Sequence, residues 1–229
     1  MSGISSDVFD KLSADIIRRI SPKSLLDIGP GQGKYGKLAR NLEPSCHTSA
    51  VEVSQAYVQA YDLENIYNTV HVLDGAGLVT ESSWRNRTFD FIVIGDCIEH
   101  MPKSQGLDLL NFLTYRCGYL LVIVPEFAWY DTDASSMEHT ESHISVWSET
   151  DFSWHDRFAF MRGEIMQFFL LRGYQKAPIA LHELVAEVNA QPVPIRSFGG
   201  KDYKFSSLDL RIRERVETID GVAWTYRHA

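Results

Sequence analysis

The sequence predicts an α/β domain built on a doubly wound, mostly parallel sheet of seven strands. Three observations point there. A short apolar run, Leu25-Leu26-Asp27-Ile28, leads into a glycine turn, Gly29-Pro30-Gly31-Gln32-Gly33, and then into the start of a helix. The runs Phe89–Ile94 and Tyr119–Val124 are apolar at nearly every position, as strands covered on both faces are. Stretches with helical spacing alternate with these runs, which is the grammar of a parallel sheet with helices on both sides. With 229 residues, 45% of them hydrophobic, the chain can bury one large core.

In order, Phe9, Leu12, Ile16, Ile17 and Ile20 give a lead-in amphipathic helix that stops at Ser21-Pro22. Strand one and the glycine turn follow. A helix runs from about Lys34 to Asn41, and Glu43-Pro44 closes it. Ser49–Val53 is strand two, and Ser54 caps a helix from Gln55 to about Leu63. Thr69–Asp74 is strand three, ended by Gly75-Ala76-Gly77. Phe89–Asp96 is strand four, Lys103–Arg116 a helix, and Tyr119–Pro125 strand five. Beyond a long irregular segment, Phe158, Met161, Ile165, Phe168 and Leu171 fall at helical spacing up to Gly173. Tyr174–Leu181 then reads as strand six and Gly221–Arg227 as strand seven. The whole chain, 1–229, is read as a single domain. It comprises a lead-in helix (1–21), a cofactor-binding core (25–125), a substrate lid (126–155) and a C-terminal helix with strands and an insertion (156–229).

The glycine turn carries the first chemical signal. Glycines at alternate positions let backbone approach a ligand, and the following helix points free N–H groups into the same space. A nucleoside-triphosphate loop is excluded, because Ile28 stands where that motif needs glycine and Tyr35 where it needs Ser or Thr. Gly31-Gln32-Gly33-Lys34-Tyr35-Gly36 matches the dinucleotide pattern G-x-G-x-x-G. Asp27 inside an apolar strand is costly unless it meets a cation or good donors, or caps the turn through its own backbone. Glu52, at the end of strand two and 21 residues beyond Gly31, can accept hydrogen bonds from ribose hydroxyls. That fits any adenosine cofactor. An NAD-dependent oxidoreductase would need its own catalytic set, such as Tyr-x-x-x-Lys on a helix, and none is found.

The arrangement Asp27-x-Gly29-x-Gly31-x-Gly33 resembles the first motif of class I S-adenosylmethionine (SAM)-dependent methyltransferases. Asp96-Cys97-Ile98-Glu99-His100 resembles that family's fourth motif, in which a strand ends in an acid. The resemblance covers Leu25 to Val124, with weaker support to Phe152. It implies SAM as cofactor and a last strand inserted antiparallel between its neighbours. It also implies that Asp27 meets the amino end of the cofactor and that Gly29, Gly31 and Gly33 pass beneath it. Glu52 would hold the ribose, Asp74 beside Gly75 would meet adenine, and Asp96 would touch the ligand directly. Asp74 equally suits a plain Asp-Gly turn. As a histidine, His100 is a residue type suited to take a proton from a substrate hydroxyl, or it could simply anchor its loop. The N/D-P-P-aromatic loop of DNA amino-methyltransferases is absent, and Cys97 follows Asp96 rather than proline, so it reads as packing rather than as a nucleophile.

Glu126 to Ser148 is rich in aromatic, acidic and histidine residues, including Phe127, Trp129, Tyr130, Glu138, His139, Glu141, His143 and Trp147. Glu141-x-His143-x-Ser145-x-Trp147 through Asp151-Phe152 resembles a segment of bacterial methyltransferases of glycan and secondary-metabolite clusters. His143 is thus an alternative base, and the other role for the segment is a lid held by buried Trp147 and Phe152. His139 and His143 stand at i, i+4, but Thr140 breaks any H-E-x-x-H motif, and no metal site is expected. Ser148 and Asp151 suit a capping box. Arg211, Arg213 and Arg215 alternate, and could line a phosphate-bearing substrate or form a solvated strand face, the second being the simpler reading.

A net charge of −8 argues against a general nucleic-acid binder. Three cysteines, Cys46, Cys97 and Cys117, follow no pattern and suit a reducing, cytoplasmic setting. Met1 to Asp10 has no signal-peptide core, and no apolar run reaches membrane-spanning length. The resemblance implies a SAM-dependent methyltransferase, and the acidic net charge with the aromatic-rich segment after strand five favours a small-molecule acceptor, with O-methylation of a sugar, glycan or secondary metabolite as the expectation. The alternatives are a non-catalytic SAM-binding regulatory or partner subunit, or a methyltransferase of protein or RNA. Homo-oligomer formation stays open.

Overall fold

The computed structural model describes residues 5–128, 142–197, 199–204, 210–214, 216–219 and 222–225. Its first half follows the sequence reading. Helix α1 (Asp10–Ile20) buries Leu12, Ile16, Ile17 and Ile20. Strand β1 (Ser24–Ile28) leads to helix α2 (Lys34–Leu42), and strand β2 (His47–Glu52) to helix α3 (Gln55–Ala60). The Ser54 hydroxyl accepts from the Tyr57 N–H and caps α3. The helix expected to reach Leu63 breaks earlier: Asp62 takes φ +53, and the chain restarts as α4 (Leu63–Ile66). Strands β3 (Thr69–Val72) and β4 (Phe89–Gly95), helix α5 (Lys103–Thr114) and strand β5 (Cys117–Pro125) complete this half.

The second half corrects the sequence reading. The helix expected over Phe158–Leu171 is instead two strands, β6 (Arg157–Arg162) and β7 (Met166–Arg172), paired antiparallel with Arg162 opposite Gln167. The residues between the supposed helical positions, Ala159, Phe160, Phe169 and Leu170, are themselves buried. Periodicity therefore could not separate a helix from strands covered on both faces, and Gly163-Glu164 is a hairpin turn. Tyr174–Leu181 is a connection rather than a strand. Its Tyr174 and Gln175 N–H groups donate to the carbonyls of Thr114 and Cys117. It enters helix α6 (Leu181–Ala190), which the sequence reading did not contain. Three short strands follow, β8 (Pro194–Arg196), β9 (Asp202–Lys204) and β10 (Arg211–Glu214). The seventh strand expected at Gly221–Arg227 is the short β12 (Val222–Thr225), which pairs with β11 (Val216–Ile219) outside the main sheet.

The main sheet has eight strands in the order β10-β6-β7-β5-β4-β1-β2-β3. The strands from β3 to β5 run parallel, and β7 lies antiparallel between β5 and β6. The antiparallel insertion is thus present but is made by β7, with β10 added at the edge. The order reverses between β1 and β4, so their carboxyl ends open the crevice where doubly wound sheets bind ligands. Alternate side chains feed two cores. Leu25, Phe91, Val93, Tyr119 and Leu121 meet α1 and α6 on one face. Leu26, Ile92, Ile94, Leu120 and Val122 meet α5, Trp147 and Phe152 on the other. Burial on both faces is why these strands read as continuous apolar runs.

Candidate active site

The glycine turn is built for close approach. Gly29, Gly31 and Gly33 have φ of +68, +50 and +75, a region that costs any residue with a Cβ about 1–2 kcal/mol. At Gly29 space forbids it too, since a Cβ there would lie 2.3 Å from the Cys97 Sγ. Cys97 is therefore the packing residue the sequence suggested. Gly75, after β3, sits against Ile28, whose Cγ2 would be 3.0 Å from an added Cβ.

Strand register gathers the acids. Ile28 lies beside Val51 and Ile94, and Glu52 beside Val72. The carboxyl ends of β1, β2, β3 and β4 thus bring Asp27, Glu52, Asp74 and Asp96 to one edge. Asp27 is 0% exposed. Its Oδ2 accepts a 2.5 Å hydrogen bond from the Tyr67 hydroxyl, which itself accepts from the Gly36 N–H. Its Oδ1 is buried with no partner among the described residues. Burial pushes its pKa up to about 7; Tyr67 and Lys34 oppose this, while Glu52 adds to it. Glu52 is buried and holds the Ser54 N–H at 2.9 Å. Asp74 is exposed and accepts from the Ala76 N–H at 3.0 Å, so the turn role is visible.

Asp96 has a positive φ of 50 and accepts from the Ser6 N–H at 2.7 Å. Burial raises its pKa to about 6, with the Ser6 N–H and Lys34 pulling down and Asp10 pushing up. The Lys34 ammonium donates to the carbonyls of Ser5 and Ser6 and to Asp10. The segment before α1 therefore lies across the glycine turn.

Beyond β4, Glu99 and His100 stand in a single 3-10 turn, Ile98–His100. A strap formed by residues 142–148 docks on it. The Ile144 and Ser145 N–H groups donate to the Glu99 carbonyl at 2.9 and 3.0 Å. Trp147, buried, donates to the Ser145 hydroxyl and fills the space over Gly106, where an added Cβ would be 2.5 Å from its ring. Ser148 and Asp151 form the expected capping box, here on the 3-10 turn Glu149–Phe152. His143 is thereby set edge-on to His100, ring centroids 4.8 Å apart. The His100 Nδ1 faces the Ser142 carbonyl at 3.2 Å. A carbonyl can only accept, so Nδ1 is the donor in this contact and Nε2 is the ring nitrogen left for another partner. Trp129, Tyr130, Glu138, His139, Glu141 and Arg215 lie outside the described residues. Arg211 and Arg213 do line an exposed strand, over the Phe160 ring and against Glu149 respectively.

Residues 5–160 match the model of the family described as "Methyltransferase domain". This chain belongs to that methyltransferase family. Solved structures give the same fold at low identity. The plantazolicin methyltransferase BpumL, crystallised with S-adenosylhomocysteine (SAH), aligns over 73% of this chain and 85% of its own, with TM-score 0.52 and 14% identity. The N-terminal domain of EvdMO1, also with SAH, aligns over 74% and 82%, with TM-score 0.54 and 10% identity. A Nostoc punctiforme PCC 73102 protein aligns over 72% of this chain but only 56% of its own, with TM-score 0.50 and 11% identity. No curated protein matches the sequence. No helix of the methyltransferase, among the described residues, is long and apolar enough to cross a membrane.

The structure brings the predicted glycines, acids and both histidines to one edge. Sequence reasoning missed Tyr67 and Ser6. A buried Asp27 announces that a donor must exist, but nothing in the sequence says which residue supplies it.

Proposed function

We propose that this methyltransferase takes its methyl group from SAM and places it on a hydroxyl of a small polar acceptor, a sugar, glycan or secondary metabolite. The residues fit the cofactor in two ways. The glycine turn leaves a cradle that a Cβ would fill, and Asp27 Oδ1 is a buried acceptor for an ammonium. Charge also discriminates. Strand register brings the carboxyl groups of Asp27, Glu52, Asp74 and Asp96 to this edge, so it is lined by acids. An acidic edge suits a sulfonium with an ammonium and disfavours the pyrophosphate of a dinucleotide. When bound, SAM supplies an in-line displacement, in which the acceptor oxygen bonds to the methyl carbon, the carbon–sulfur pair stays on sulfur, and the hydroxyl proton is left for a base. Asp27 would hold the amino end, Glu52 the ribose, and Asp74 with Gly75 the adenine end.

The observation that carries the acceptor assignment is the histidine pair. His100 and His143 meet at the carboxyl edge beyond Asp96, with the His100 Nδ1 turned to the Ser142 carbonyl and its Nε2 free of that contact. That is a place for a hydroxyl to lose its proton. An acidic chain favours a small acceptor over RNA, and the free Cys46, Cys97 and Cys117 suit a cytoplasmic setting. BpumL has been crystallised with a desmethylplantazolicin analogue, which supports a natural-product acceptor here.

The test is calorimetric titration with SAH, using NAD as control, followed by SAM turnover on a panel of hydroxylated acceptors. SAH binding without NAD binding is expected. Turnover should fall in His100→Gln and His143→Gln while SAH affinity holds. Unchanged turnover in both variants would remove the pair from the mechanism, and NAD binding in place of SAH would overturn the cofactor.

A further inference from the structure

We propose that Glu99, His100 and His143 form a binding site for one divalent transition-metal ion. One ligand atom from each residue lies within 4.8 Å of the others. The decisive member is Glu99. It is 1% exposed, and neither carboxylate oxygen has a hydrogen-bond partner among the described residues. Burial, with Asp96 adding to it, pushes its carboxyl well above the usual range, and the backbone N–H groups of Glu99 and Cys97 only partly oppose this. A buried carboxylate with both oxygens unsatisfied is costly and calls for an explanation. A cation seated between it and two imidazoles supplies one.

The histidines are set up as ligands. Metal-bound histidine usually donates its second ring N–H to a carbonyl or carboxylate, which orients the ring. His100 does this with the Ser142 carbonyl, leaving Nε2 for the ion. His143 is held by contacts that belong to the fold: the Ile144 and Ser145 N–H groups on the Glu99 carbonyl, and Trp147 packed over Gly106. The sequence offered His139 as the partner of His143, on the assumption of a helix. In the structure residues 142–148 are not helical, and the second imidazole comes from His100 instead.

Two imidazoles and one carboxylate suit ions from Mn2+ to Zn2+ and disfavour Mg2+ and Ca2+, which prefer all-oxygen shells. Bonds of ~2.1 Å around such an ion need ligand atoms roughly 3.4 Å apart, so the three side chains rotate inward on loading. At least one coordination position remains open toward the carboxyl edge. Resting on the methyl-transfer reading, an ion there would bind the acceptor oxygen and make its proton easier to lose. The histidines would then hold the ion rather than take the proton themselves.

The experiment is calorimetric titration of the chelator-treated full chain with MnCl2 and ZnCl2, with MgCl2 as control and no cofactor or acceptor present. The expected result is saturable binding of one Mn2+ or Zn2+ per chain, weakened at least ~10-fold in Glu99→Gln and in His143→Asn. A second readout needs no variant: Co2+ added to the parent protein should change its visible ligand-field spectrum from that of the aquo ion. No saturable binding with an unchanged Co2+ spectrum would overturn the site. Equal affinity in parent and folded variants would do the same. SAH titration of the same preparation separates the two readings: SAH binding without metal binding refutes only the metal site, and the reverse refutes only the cofactor.

Discussion

Asp27 provides a quantitative test of how the cofactor amino group is held. Its carboxyl is fully buried, its Oδ1 has no partner among the described residues, and its pKa stands at about 7 without ligand. If an ammonium binds Oδ1, the carboxyl must ionise as the ligand enters. At pH 8 that costs almost nothing. At pH 6 the proton must first be removed against one pKa unit, ~1.4 kcal/mol, or ~10-fold in Kd. SAH carries the same ammonium, so its Kd from calorimetry should rise ~10-fold between pH 8 and pH 6 in the parent. Asp27→Asn should bind more weakly throughout and show only the small slope that Asp96, with pKa about 6, contributes near the lower limit. The same slope in parent and Asp27→Asn would refute the reasoning. Stability without ligand gives the companion measurement. The folded chain keeps the Asp27 proton up to about pH 7, whereas the unfolded chain releases it near 3.8. Stability should therefore fall as pH rises from about 4 to about 7 and level off above. Denaturant melts of Asp27→Asn should show that fall reduced by as much as ~4 kcal/mol.

Three further outcomes follow from packing. Gly29→Ala meets both a positive φ and the Cys97 sulfur, so it should lower the melting temperature by several degrees and abolish SAH binding; adding Cys97→Gly should restore part of the stability, and no restoration would mean the sulfur contact is unimportant. Tyr67→Phe leaves both Asp27 Oδ2 and the Gly36 N–H unpaired and should cost ~1–3 kcal/mol in denaturant unfolding, with a neutral result counting against the relay. Gly106→Ala pushes on Trp147 and should loosen the strap that carries His143, lowering turnover while SAH affinity stays within about twofold; parallel loss of both would show the strap supports the cofactor pocket instead.

The sequence alone determined the cofactor half of this molecule. Local patterns sufficed there: a buried strand, glycines at alternate positions and acids at strand ends are each read within a few residues, and parallel pairing brings the carboxyl ends of β1 to β4 to one edge. Asp27, Gly29, Glu52 and Asp96 fell where their spacing put them. The region after β5 was decided by tertiary structure. Phe158 to Leu171 is apolar on both faces, so its spacing could not tell a helix from the β6–β7 hairpin until the sheet supplied neighbours on either side. The partners of buried polar groups were equally out of reach. Tyr67 meets Asp27 across 40 residues, Ser6 meets Asp96 across 90, and the strap at Ser142 meets His100 across 42. A sequence states that a buried carboxylate must be satisfied. Which distant group satisfies it depends on where the chain returns, and that is a property of the packed fold.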